Sequence, residues 1–314
     1  MTQEEKIQAL RDLGYNIQII DGKPTVKGWV DLRETNITSL PDNLVVGGWL
    51  DLRGLKITSL PDNLVVSGDL DFGGTEITSL PDNLVVGGCL DLRYTKIKSL
   101  PDNLVVGDSL YICGTKIPSL PNNLVVNGSL YLNGTMITSL PDNLAVGKFI
   151  FKRDGKRIST NQNTKIDFVQ KIWGDKPYCK VDGIFTEIVN RRGKVWTVRE
   201  IGHTDTFYLV TDGNGNYAHG RTIKQAKADL VYKITNKDKS DYKDLTLESV
   251  LTHDEAIKCY RVITGACTFG TRNFVEHVLP TDKRKDQYTI AEIICLTKGR
   301  YGNEMFTEFF KNNK

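Results

Sequence analysis

No stretch of the chain approaches the roughly 18 consecutive apolar residues that a bilayer span needs, and Met1-Thr2-Gln3-Glu4-Glu5-Lys6 has neither the basic segment nor the apolar run of a secretory leader. Helical membrane spans are thereby excluded, and a soluble, cytoplasmic chain is expected, of the producing or of an infected cell. The six cysteines, at positions 89, 113, 179, 259, 267 and 295, include no C-x-x-C pair. Their spacing argues against zinc ribbons and disulfide scaffolds, and favours a reducing compartment. A glycine-rich dinucleotide fingerprint, a P-loop and a nucleophile elbow are also missing, so no cofactor is expected. With only 4 histidines in 314 residues, each one merits separate attention as a base or ligand.

What is present is ordinary globular material, 39% hydrophobic and 25% charged, in a length that allows two or more domains. The net charge of +3 conceals an asymmetry. Residues 1–150 carry 12 Lys and Arg against 17 Asp and Glu, a balance of −5, and the remaining 29 against 21 leave +8 on residues 151–314. Either the halves face different partners or they attract each other. Without an arginine-rich run or interleaved aromatics, the basic half does not point to nucleic acid.

The dominant feature is a 20-residue repeat from about Val30 to about Ile150, typified by Leu50-Asp51-Leu52-Arg53-Gly54-Leu55-Lys56-Ile57-Thr58-Ser59-Leu60-Pro61-Asp62-Asn63-Leu64-Val65-Val66. Leu50, Leu70, Leu90, Leu110 and Leu130 form one apolar column; Leu52, Phe72, Leu92, Ile112 and Leu132 form another, and Ile57 to Ile137 a third. One such turn cannot bury its own apolar ring, whereas stacked turns cover each other and build a continuous core. The alternation of Leu50 and Leu52 with Asp51 and Arg53 has period two, which predicts short strands stacked in parallel. Pro41, Pro61, Pro81, Pro101, Pro121 and Pro141 forbid a long helix on the return path, so an extended or polyproline-like back side is expected.

The motif Leu-x-Leu-x-x-x-x-Ile-x-x-Leu-Pro-x-x-Leu, repeated about six times over residues 29–158, resembles the leucine-rich repeat family in its short bacterial form, as found in secreted effectors of enteric pathogens. The resemblance implies a solenoid with one parallel sheet and protein binding on that sheet. Where the family places asparagine, this chain has Thr35, Thr75, Thr95, Thr115 and Thr135, with Leu55 in the same column. Hydroxyls bonding neighbouring backbone are expected to replace the asparagine ladder.

Three parts are predicted: an N-terminal cap over residues 1–28, the solenoid over 29–158, and an α+β domain over 164–314, divisible into a sheet plus helix at 176–236 and a helical part at 245–314. Thr2 with Glu5 is a capping box opening an amphipathic helix over residues 3–13. Strands at 16–20 and 25–26 turn at Asp21-Gly22. Lys152 takes the slot that Leu132 fills one turn earlier, which ends the core, and the polar residues 159–164 read as a linker. Strand-like runs at 181–189, 194–201 and 206–211 follow, and Thr222 with Gln225 opens a helix through Lys233. Thr252 with Glu255 and Thr289 with Glu292 are further capping boxes, so the last quarter reads as mostly helical, with breaks at Gly265 and at residues 299–302. This second half resembles an uncharacterised module that accompanies such repeats in gut bacteria and their phages, a likeness that implies no activity.

Among chemical candidates, Cys267 in Gly-Ala-Cys-Thr-Phe-Gly-Thr-Arg stands before a helix start, with His253 and His277 in the same helical region as bases. The acidic catalytic-cysteine motif of pathogen ubiquitin ligases is absent, and a small buried residue at a helix junction is the preferred reading of Cys267. Cys259, Cys267 and His277 lack any standard zinc spacing, so no metal is expected. His219, Arg221 and Arg272 could meet an anion such as a nucleotide phosphate near a helix start. Asp212-Gly213-Asn214-Gly215-Asn216 has calcium-like residues without the distal glutamate, and reads as a hairpin turn.

On the repeats, residues flanking the buried leucines share the outer face of the sheet: Trp29, Asp31 and Arg33; Trp49, Asp51 and Arg53; Asp71; Asp91 and Arg93; Tyr111; Tyr131. Tryptophan and tyrosine are enriched at binding hot spots, and with the family resemblance they favour a non-enzymatic scaffold holding a protein partner. The alternatives are a bacterial or phage defence or anti-defence protein whose second half binds or modifies a small ligand, and a cysteine-dependent transferase.

Overall fold

The computed structural model describes the chain apart from residues 103, 143, 153, 160–170, 174–175, 183, 236, 280, 299 and 312–314. Most of the expected 159–164 linker lies outside the described residues. The first compact unit comprises residues 1–180 together with 185–187 and 200–205; the second comprises 181–184, 188–199 and 206–314. The cap and the solenoid thus form one body.

The solenoid has about six turns, and each adds one two-residue rung to each of two parallel sheets. The leucine sheet stacks Val30–Asp31, Leu50–Asp51, Leu70–Asp71, Leu90–Asp91, Leu110–Tyr111 and Leu130–Tyr131, each paired with the rung 20 residues away. The valine sheet stacks Val45–Val46, Val65–Val66, Val85–Val86, Val105–Val106, Val125–Val126 and Ala145–Val146 in the same way. Leu50, Leu52, Ile57, Leu64 and Val66 point inward and are at most 1% exposed, as are most of their 20-residue echoes.

The valine sheet was not legible as a separate sheet in the sequence, where the return path reads as extended or polyproline-like. Its cause is the Pro-x-x-Leu corner: Leu84, Leu104, Leu124 and Leu144 donate their amides to the carbonyls of Pro81, Pro101, Pro121 and Pro141. Asn43 and Asn63 take left-handed backbone angles there, which a short polar side chain tolerates better than most. The chain emerges from each corner aimed at its neighbour's Val-Val pair, and the ladder closes.

Four of the five threonine hydroxyls bond neighbouring backbone, as expected. Thr35, Thr95, Thr115 and Thr135 donate to the carbonyls three residues back in their own turns, at 2.7 to 2.8 Å. They therefore close the turn locally instead of linking turns, and the Thr75 hydroxyl has no partner among the described residues. An asparagine ladder does exist, one corner away: Asn63 donates to Asn43 at 2.9 Å, and Asn83 donates to Asn63.

Both ends are sealed. The helix Gln3–Asp12 starts from the expected Thr2–Glu5 capping box and buries Ile7 and Leu10 against the solenoid core. Lys6 pairs with Asp42 at 3.1 Å, and Gln3 exchanges hydrogen bonds with the Asp42 backbone. At the far end Phe149–Phe151 pairs antiparallel with Arg157–Ser159, and Lys152 is exposed. Tyr178, Phe185 and Ile201 cover Val45, Val65, Val85 and Val105 on the outer side of the valine sheet. Lys180 donates to the carbonyls of Gly87 and Gly107 at 2.5 and 3.0 Å.

In the second unit the strands Val195–Glu200, Thr206–Thr211 and Tyr217–Gly220 pair in an antiparallel meander. The helix Ile223–Ile234, capped by Thr222 as expected, lays Ala226 and Leu230 on Val210 and Ala218. Gly220 is required by that contact, because a Cβ there would lie 2.4 Å from the Ala226 amide nitrogen. Helices His253–Thr264 and Ile290–Leu296 start from the expected capping boxes and share a core with Asn303–Lys311 through Tyr260, Ile263, Ile293, Phe306 and Phe310. Asp229 joins the layers. Its carboxylate accepts from Arg261 at 3.0 Å and from the amide and hydroxyl of Thr268 at 3.0 and 2.8 Å.

Leu92 is fully buried while Asp82 is exposed on a corner. Leu92→Ala is expected to cost about 2–5 kcal/mol in urea unfolding, against a few tenths for Asp82→Ala. Equal losses from the two would refute the assigned phase of the repeat.

Candidate functional site

Two arrangements carry more chemistry than the fold needs. The first is the outer face of the leucine sheet. Parallel rungs stand about 4.8 Å apart, so identical side chains are forced into contact. Trp29 and Trp49 stack with ring centroids 5.1 Å apart and remain 57% and 38% exposed. Tyr111, Tyr131 and Phe151 form a second stack with centroid spacings of 4.5 Å, and Arg93 lies over the Tyr111 ring.

Between the stacks Asp31, Asp51 and Asp91 are each neutralised by an arginine of their own rung. Arg33 bonds Asp31 through two nitrogens, Arg53 does the same to Asp51, and Arg93 meets Asp91. Arg33 also reaches Asp51 at 3.3 Å, and Arg53 reaches Asp71 at 3.4 Å, so the pairs interlock along the sheet. Asp51 and Asp91 are consequently buried instead of presented to solvent. The third rung departs from the two before it: it has Asp69 in the column of Trp29 and Trp49, and Gly73 in the column of Arg33, Arg53 and Arg93. Burial, partly offset by the Gly73 amide, raises the carboxyl pKa of Asp71, and Asp69 is exposed.

Sequence reasoning missed Tyr94. It occupies the column that holds Glu34, Gly54, Gly74, Gly114 and Gly134, at a left-handed φ of 59° shared by Glu34 at 61°, and is 74% exposed. A bulky side chain in that conformation costs about 1–2 kcal/mol with no burial in return. The break in the glycine column was the signal available in the sequence.

The second arrangement lies in the second unit, where Asp182, His219 and Cys267 converge with their ligating atoms all within 4.8 Å of one another. Asp182 sits in the turn before the strand Ile184–Arg192 at φ 52°. His219 is on the strand Tyr217–Gly220, and Cys267 is the N-cap of the helix Thr268–Asn273. His219 is fully buried beside Phe207 and Phe269, and neither of its ring nitrogens has a partner among the described residues. Burial pushes its pKa down to about 4, so the ring is neutral. Burial likewise pushes the Cys267 thiol up to about 12, although the backbone amides of Gly270 and His219 point at its sulfur. Lys233 donates to Asp182 Oδ1 at 2.5 Å and to the Tyr217 carbonyl at 3.0 Å. Burial works against its charge, but Asp182 outweighs that and keeps the ammonium protonated. Asp182 Oδ2 has no partner among the described residues.

Asp182 and Cys267 form part of the wall of a cavity of about 120 Å³, otherwise lined mainly by apolar groups such as Ile184, Ile257, Phe274 and Leu279. His253 also borders it, at the start of its helix. His277 falls in the turn Phe274–Val278, its side chain outside the described portion. The histidine whose ring nitrogen lies within 4.8 Å of the Cys267 sulfur is His219, which sequence reading had grouped with Arg221 and Arg272. Those two arginines are exposed, and Arg272 faces Glu276 at 3.9 Å, so the three differ sharply in environment. Cys259 is buried in the helical core. Asp212 accepts from the amides of Asn214 and Asn216, which fits the hairpin turn. Compared with family models, curated proteins and solved structures, the chain matches none.

Because the pKa of His219 is depressed in the folded state, the unfolded chain binds the extra proton between about pH 6.5 and 4, and stability falls as pH falls through that window. The loss amounts to about 3 kcal/mol. Urea unfolding at pH 7 and pH 4.5 should show a smaller difference for His219→Leu than for the wild type. Native-state iodoacetamide at pH 7.5 should label exposed Cys295 and spare buried Cys267.

Proposed function

We propose that the solenoid is a leucine-rich-repeat scaffold without catalytic activity of its own, and that the outer face of its leucine sheet holds a protein partner. The observation that carries the reading is the Trp29–Trp49 stack, left more than one-third exposed on both rings at one end of the face. Large aromatic rings are costly to leave bare and dominate interface hot spots. Exposed Tyr94 and the half-buried Tyr111–Tyr131 stack extend the aromatic surface beyond the middle rung. That rung offers Asp69 and Asp71 without an arginine of its own. The partner is therefore a protein presenting a basic side chain between two apolar contacts. Arg33, Arg53 and Arg93 serve to hold the aspartates in place, so the surface is preorganised and loses little side-chain entropy on binding. The family resemblance of the repeat motif points to the same sheet.

A second reading concerns the second unit, whose cavity suits a small, largely apolar ligand with one polar end at Asp182 and Cys267. Its apolar wall favours such a ligand over a nucleotide.

Affinity capture with the full chain, followed by quantitative binding of whatever protein is recovered, tests the scaffold. Trp49→Ala and Asp71→Asn are each expected to weaken binding by about tenfold or more, while Asp82→Ala leaves it unchanged and circular dichroism shows all variants folded. Unchanged affinity in both folded variants would refute the assignment.

A further inference from the structure

We propose that Asp182, His219 and Cys267 form a binding site for a single divalent cation of the zinc class, with the cavity of the second unit at its open coordination position. Three independent features converge on it.

The donor set is the first. A thiol sulfur, an imidazole nitrogen and a carboxylate oxygen, all within 4.8 Å of one another, are the ligand types that Zn²⁺ takes at about 2.0–2.3 Å in tetrahedral geometry. A soft sulfur beside an imidazole selects zinc-like ions over Mg²⁺ or Ca²⁺, which prefer all-oxygen sites.

The second feature is unsatisfied polarity. His219 is fully buried with both nitrogens unpartnered among the described residues, and Asp182 Oδ2 is buried and unpartnered too. Buried polar groups are nearly always hydrogen-bonded, and each orphan costs about 1–3 kcal/mol. These orphans lie together, facing the Cys267 sulfur. One cation would engage an imidazole nitrogen, Oδ2 and Sγ at once.

Support from outside the ligand set is the third. Lys233 bonds Asp182 Oδ1 and leaves Oδ2 as the free donor. The Gly270 amide donates to Sγ at 3.2 Å and the His219 backbone amide is directed to the same sulfur, contacts that stabilise a thiolate. Groups that orient and tune ligands in this way are characteristic of metal centres. Binding converts the Cys267 thiol to thiolate and releases its proton to solvent. The site's charge, counted over the cation, the thiolate, the Asp182 carboxylate and the Lys233 ammonium, is then +1. Asp182 and Cys267 border the cavity, so the three-ligand site leaves a fourth position facing it, the arrangement of zinc centres that act on a bound molecule.

No sequence spacing announces the site, because its members come from a turn at 182, a strand at 219 and a helix cap at 267. It is distinct from the combination of Cys259, Cys267 and His277 that residue types alone suggested.

The test uses the full-length protein, stripped with a chelator and titrated with Co²⁺ as the spectroscopic substitute for Zn²⁺. One equivalent is expected to bind, with a near-ultraviolet thiolate-to-cobalt charge-transfer band that Zn²⁺ abolishes by displacement. Cys267→Ser should remove the band, and His219→Leu should weaken Co²⁺ binding more than tenfold. The combined replacement of Cys89, Cys113 and Cys295, the thiols that are not buried, should leave the band intact. That variant keeps the test decisive if Cys267→Ser does not fold, because losing the band in it would place the metal elsewhere and overturn the proposal. So would a folded wild-type chain that shows no stoichiometric thiolate–cobalt band, or a folded Cys267→Ser chain that keeps one.

Discussion

The in-register parallel ladder at a 20-residue offset is the constraint on which the first half of the protein depends. Each turn contributes only two residues to each sheet, too few to persist alone. Stability therefore resides in the contact between turns, and the same offset that aligns Leu50 with Leu70 aligns every other column. One consequence is that outward columns are stacked whether or not their chemistry favours it. In the first, second and fourth rungs the chain places arginine two residues after aspartate, so that these carboxylates are held in ion pairs. Exposed pairs of this kind contribute little to stability; their effect here is to fix geometry.

Stacking also explains why departures from the repeat are informative. The inward columns keep the 20-residue pattern closely, while the outward columns vary, as at Asp69, Gly73 and Tyr94. All three fall on the third and fourth rungs of one face. Tyr94 accepts a left-handed backbone that glycine adopts in four other turns, and gains no burial from it.

The second unit follows a different logic. Its helices are announced by capping boxes and its core by apolar periodicity, yet it brings together Asp182, His219, Lys233 and Cys267, of which His219 and Cys267 are buried and Asp182 and Lys233 half-buried. A folded domain tolerates such a cluster only where charges are paired, as Lys233 and Asp182 are, or where something else satisfies the remaining atoms. His219 has a neutral ring and no partner among the described residues, and it is the point at which packing alone gives no account of the structure.

The sequence by itself determined the solenoid, its apolar columns, its N-terminal cap, its stop at Lys152 and four helix starts, because each rests on interactions between residues close in sequence or related by a fixed period. Thr2 with Glu5, and Leu50 with Leu70, need no knowledge of the rest of the chain. The tertiary structure decided three things. The Pro-x-x-Leu corners turned the expected extended return path into a second sheet, since a backbone angle at Asn43 or Asn63 is not visible in residue type alone. In the aspartate column Asp51 and Asp91 became buried, while Asp31 and Asp71 stayed half-exposed. Cys267 acquired His219 and Asp182 as neighbours, because contacts across 37 to 85 residues of chain depend on how a sheet and a helix pack, and no local pattern encodes that distance.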